Sequence, residues 1–137
     1  MKRLLLLTLT TACLFAQFSC KKGGGGGGSS SNEANLVVEI DPANGTVQAP
    51  ALGPFNLKVT ITSAMPPSGV KYDITAKKDD GSGSAAFFTS SGTTSAAVSN
   101  FSITNTPSTV QCLVEVKITS QTKASNTWSG SYRYSKK

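Results

Sequence analysis

From Asn35 to the C-terminus, apolar and polar residues alternate. Leu36, Val38 and Ile40 alternate with Val37, Glu39 and Asp41, and Leu57, Val59 and Ile61 with Lys58, Thr60 and Thr62. Val70, Tyr72, Ile74 and Ala76 alternate with Lys71, Asp73, Thr75 and Lys77. Val110, Cys112, Val114, Val116 and Ile118 form a fourth series, broken only by Leu113 between them. Trp128, Tyr132 and Tyr134 share one parity in the last run, with Ser129, Ser131, Arg133 and Ser135 on the other. A period of two marks strands with one face buried and one wet. Residues 85–89 and 95–104 are weaker strands, whose apolar content is Phe87, Phe88, Phe101 and Ile103. Turn signals separate the runs: Asp41-Pro42-Ala43-Asn44-Gly45, Met65-Pro66-Pro67-Ser68-Gly69, Asp79-Asp80-Gly81, Ser90-Ser91-Gly92 and Thr106-Pro107. No segment carries the 3.6-residue period of an amphipathic helix.

About seven short strands with turns at this spacing predict an all-β fold. The expected form is a two-sheet antiparallel sandwich, immunoglobulin-like or fibronectin-like, over residues 35–137. The order resembles an immunoglobulin-like module: an opening strand, a Pro/Asn/Gly turn, a long second strand and a final aromatic strand ending in basic residues. The paired cysteines of antibody domains are absent, and no tyrosine lies just before Cys112.

The first 19 residues have a different character. Met1-Lys2-Arg3 is a positive start, residues 4–18 are a short apolar stretch, and the small residue Ser19 precedes Cys20. This is the three-part layout of a secretory signal, too short to be a spanning helix. With cysteine directly after the small residue, the leader resembles that of Gram-negative bacterial lipoproteins, although Gln17 stands where their usual motif has leucine. The resemblance implies diacylglycerol on the Cys20 thiol, cleavage before it and an acylated new amino terminus. It implies a membrane anchor in the cell envelope. Lys21 in place of the aspartate of inner-membrane retention implies the outer membrane, facing the periplasm, with surface exposure as the variant.

Residues 20–34 join the two parts. Six glycines, Gly23 to Gly28, run into Ser29-Ser30-Ser31-Asn32. Such a segment behaves as a flexible coil. A phosphate-cradling loop would need a preceding strand, a following helix and a Lys-Ser/Thr pair, none of which the pattern offers. Coil of this length reaches about 20 Å on average and about 45 Å at full extension. A domain so tethered stays near the membrane surface.

The net charge is +6. Cutting before Cys20 removes Lys2 and Arg3, which leaves 11 basic against 7 acidic residues, or +4. The basic residues are dispersed, unlike the gathered charge of nucleic-acid binders, so no nucleic-acid partner is expected. Their role is solubility and attraction to an anionic surface.

The inventory for chemistry is thin. There is no histidine, which removes the usual general base and the commonest metal ligand. Cys13 leaves with the leader, Cys20 is the lipidation site, and Cys112 reads as a small buried hydrophobe in a strand. Glu39 and Asp41 share one face of a strand at a spacing some glycosidases use, but a solvated strand edge explains them better. Asp79-Asp80-Gly81-Ser82-Gly83 lacks the spaced acids and distal glutamate of a calcium loop. No cofactor or metal, and no enzymatic activity, is expected. Trp128, Tyr132 and Tyr134 are the candidate ligand-binding residues: a stacking platform for sugars, or else a core-facing row. The expected function is a lipid-anchored, non-enzymatic interaction or assembly module whose edge strand could extend a protein partner's sheet. The alternative is a carbohydrate-binding or adhesion module using the terminal aromatics.

Overall fold

The structure is a computed structural model, and it describes residues 32–137. The leader and Cys20 lie outside the described residues. Seven strands follow one another: β1 (Val38–Asp41), β2 (Phe55–Ile61), β3 (Val70–Lys78), β4 (Phe88–Thr94), β5 (Val98–Ile103), β6 (Gln111–Ser120) and β7 (Thr127–Ser135). None of the described residues forms a helix. All neighbouring strands pair antiparallel, in a three-stranded sheet of order β1-β2-β5 and a four-stranded sheet of order β4-β3-β6-β7. This is the two-sheet antiparallel sandwich that the alternation predicts. In the constant-type antibody arrangement the fourth strand joins the sheet of the first two. Here β4 pairs with β3 instead, which fits the fibronectin-like form of the expectation.

The core is the inward parity of each run. Leu36, Val38 and Ile40 meet Leu57, Val59, Ile61 and Ile103 from one sheet, and Val70, Ile74, Ala76, Cys112, Val114, Val116, Ile118, Tyr132 and Tyr134 from the other. Leu113 breaks the parity because it points out of the sheet between two buried neighbours. Each fully buried Leu, Ile or Val contributes about 1.5–3 kcal/mol by leaving water.

One strand differs from its expected place. Ser90-Ser91-Gly92 has turn composition but lies in the middle of β4, and the chain turns at residues 95–97. Gly92 is there for space. A Cβ at that position would lie 2.6 Å from the Tyr72 hydroxyl, which crosses the strand. At the start of β4, Phe87 N–H donates to the Ala76 carbonyl while Ala76 pairs with Phe88, so two residues oppose one. This bulge lets both phenylalanines pack partly against the core.

The chain enters β1 through a clamp. The Asn126 side chain accepts from Leu36 N–H at 2.9 Å and donates to the Ala34 carbonyl at 2.9 Å and to the Glu33 carboxylate. Glu33 and Ala34, which composition assigns to the tether, are thus held to the β6–β7 turn. From Asn44 to Ala51 the chain then runs beside β7. It makes parallel bridges at Val47–Arg133 and Ala51–Lys136, and the Thr46 carbonyl accepts from Arg133 N–H at 2.9 Å.

Asn126→Ala leaves the buried Leu36 N–H without its acceptor. Chemical denaturation should show a loss of about 1–3 kcal/mol. Proteolysis near residues 33–36 should speed up. Leu57→Ala, at the centre of β2 with no exposure, should cost about 2–5 kcal/mol in the same assay.

Candidate interaction surface

The last strand carries the aromatic row. Gly130 continues the parity of Trp128, Tyr132 and Tyr134, and the Trp128 ring folds over it, occupying the space a Cβ there would need. Tyr132 and Tyr134 each retain 2% exposure, and Trp128 is half-buried against the core. The Tyr134 ring lies 4.6 Å from Phe55 and 6.1 Å from Tyr132, centre to centre. Its hydroxyl pairs with that of Thr106 at 2.7 Å, which ties the β5–β6 loop to β7. A sugar platform needs open ring faces, and Tyr132 and Tyr134 present none. The three residues instead form the core-facing row that the sequence also allows.

A cavity of about 190 Å³ lies over these rings, lined by Pro42, Gln48, Pro54, Phe55, Tyr132 and Tyr134 among others. Ligand pockets usually hold about 300–1,000 Å³, so this space suits a few waters or one small side chain. Its outer wall is the loop from Val47 to Pro54, where Val47 and Leu52 are exposed at 63% and 78%.

The remaining candidates are dispersed. Glu39 and Asp41 lie on the outward face of β1, opposite Thr60 and Lys58. Asp79 pairs with Arg133, while one Asp80 oxygen accepts from Ser82 N–H at 3.0 Å and from its hydroxyl. Those bonds, the hydroxyl first, lower the Asp80 pKa. Cys112 is fully buried, and burial pushes its thiol pKa up.

The two flanks of the sandwich are built differently. On one, the short β1 and the segment beside β7 close the edges. On the other, β4 and β5 are the outer strands of their sheets, seven and six residues long, with no further strand paired to either among the described residues. From Gly81 to Val114 the chain has no charged side chain. The open flank is therefore neutral: Thr89, Ser91 and Thr93 point outward on β4, Val98, Asn100 and Ser102 on β5. Between the edges runs a shallow groove of about 310 Å³, lined by Tyr72, Thr93, Thr94, Ser99, Asn100 and Phe101. The Tyr72 and Phe101 rings lie 5.0 Å apart and close the core there. Natural edge strands usually carry lysine, proline or another block to pairing. β4 and β5 carry neither charge nor proline. The uncharged run is readable in the sequence, and it is the signal that marks this surface.

No family model, curated protein or solved structure matches this chain.

Two outcomes follow from the buried groups. Burial pushes Tyr134 up to about 12, partly offset by the Thr106 hydrogen bond, and pushes Tyr132 up as well. An unfolded tyrosine ionises near pH 10. Below that both states keep the proton, and above it the unfolded chain releases it first. The stability held by these phenols is thus fully present below about pH 10 and is lost as pH rises towards 12. Denaturation midpoints should fall as pH rises from about 10 towards 12, less steeply in Tyr134→Phe. Cys112 should resist an aromatic disulfide reagent in the folded chain and react fully in denaturant, because the buried thiol is protonated and out of reach.

Proposed function

We propose that the chain is a lipid-anchored cell-envelope protein, held in the membrane through Cys20, whose β-sandwich is a non-enzymatic interaction module. The anchor reading rests on the leader and the cysteine that follows it. The interaction reading rests on one observation: the neutral flank where β4 and β5 have edges to which no strand pairs among the described residues. Unpaired edges carry backbone donors and acceptors that a further strand can use, and such pairing is a recurrent mode of peptide and domain recognition. The clamp at Asn126 fits this arrangement, because it fixes where the tether leaves the domain and keeps the flank clear of that point. Lys21 directly after Cys20 supports an outer-membrane anchor with the domain in the periplasm. Carbohydrate binding on β7 would require turning Tyr132 and Tyr134 out of the core, so the interaction reading is preferred.

The anchor is tested by intact mass and membrane fractionation of the native protein beside Cys20→Ala. The expected mass is that of a chain beginning at a triacylated Cys20, in the outer membrane, with the variant released. An unmodified soluble chain would remove the anchor. The module is tested by cross-linking in intact cells followed by affinity capture. Envelope proteins should be recovered with the native chain and reduced by Ser91→Lys on the β4 edge. Equal recovery from both chains would remove the flank as the binding surface.

A further inference from the structure

We infer that the β4 edge is the contact through which two copies of this chain pair, antiparallel about a two-fold axis, to join their four-stranded sheets into one of eight strands. The inference deepens the interaction reading by naming the partner. It rests on that reading only for the membrane confinement described below.

The backbone supplies the attraction. β4 is paired on one side only, to β3, along the register Val70–Thr94 to Ala76–Phe88. Among the described residues, no strand pairs with its other side over its seven residues. An antiparallel pair of β4 strands satisfies those groups on both copies with one contact. Centred on Ser91, it sets Ser91 against Ser91 of the second copy, Ser90 against Gly92 and Thr89 against Thr93.

Charge leaves a second copy unopposed. In a two-fold contact each residue meets itself or its near neighbours from the other chain. A charged side chain there faces its own sign, and like charges directly opposite oppose pairing. The net charge of this chain is positive, yet the flank from Gly81 to Val114 carries none. The nearest charges across β3, Lys71 and Asp73, form an ion pair at 3.1 Å and cancel. Two copies approach along β4 without facing like charges. Edge protection appears elsewhere in the same molecule: β7 is covered by the segment from Asn44 to Ala51, and β1 is only four residues long. The lack of any block is therefore confined to the flank of β4 and β5.

The groove beside β4 is mostly polar, with Thr93, Thr94, Ser99 and Asn100 around the partly buried Tyr72 and Phe101, so the backbone carries the attraction. Serine and threonine along β4 set register weakly, so the contact is a modest one. Confinement to a membrane plane by the lipid raises the effective concentration of a second copy and favours a weak pair.

The test uses the chain from residue 20 with Cys20→Ser, which retains every core residue from Leu36 onward. Sedimentation velocity is run at about 100 µM, where any pair with a Kd of about 10 µM or tighter is mostly dimeric. The expected result is a dimer for this chain and monomers for Ser91→Lys and for Ser91→Glu. Mixing the two variants in equal amounts should restore the dimer, because opposite charges now meet across the axis. A destabilised fold would not be rescued by mixing, and matched thermal midpoints serve as the control. A monomer at this concentration overturns the inference. So does a dimer unmoved by either variant, or a mixture that stays monomeric. If the chain is monomeric while capture from cells still recovers envelope proteins that Ser91→Lys loses, self-pairing falls and the interaction reading stands.

Discussion

The nine-residue pairing of β3 with β6, from Val70–Ser120 to Lys78–Cys112, is the contact on which everything else is laid. Val70, Ile74 and Ala76 on one strand and Cys112, Val114, Val116 and Ile118 on the other are at or below 1% exposure. They make a continuous apolar floor, and the three-stranded sheet packs its own row of Leu57, Val59 and Ile61 down onto it. β4 and β7 are then placed by hydrogen bonding to either side of this pair. Since side chains alternate, a one-residue slip between β3 and β6 would turn the apolar rows out to water, so the register is held by burial as much as by hydrogen bonds.

The strands built on strong alternation are legible in the amino-acid pattern alone. Runs such as Leu57-Lys58-Val59-Thr60-Ile61 declare both their conformation and their inward face. β4 is harder to read, because its residues are small and hydroxylic and its glycine imitates a turn. Gly92 is explained only by the Tyr72 hydroxyl above it, a contact between strands that no local pattern encodes. Asn126 is hidden for a similar reason. It has the character of an ordinary turn residue, and its role emerges only when residues ninety or more positions earlier are brought beside it. The candidate surface is legible in a different sense. The aromatics of β7 draw attention as large rings on a terminal strand, whereas the neutral flank is marked by what its sequence omits.

That contrast orders the surface. The flank of β1 and β7 is sealed twice, by the segment beside β7 within the sheet and by Phe55, Tyr132 and Tyr134 between the sheets. The flank of β4 and β5 is sealed once, by Tyr72 against Phe101, and no described strand covers its outer edges. A sandwich of this size has enough inward surface to fold without covering every edge, so an edge that stays open and uncharged is available for contact.

The clamp at Asn126 has one more consequence. The chain enters β1 beside the β6–β7 turn and leaves β7 at the opposite pole, since Thr127 starts β7 next to Asn126 and Ser135 ends it beside Gln111. A pulling force between the two ends therefore acts along the strands. The bonds of β1 to β2 lie perpendicular to the strands, so they are loaded together in shear instead of being unzipped one at a time. If the domain is pulled from its N-terminal side, the side chain of Asn126 and the four pairs of β1 bear the first load, and the unfolding rate under force is set there and not by the central strands.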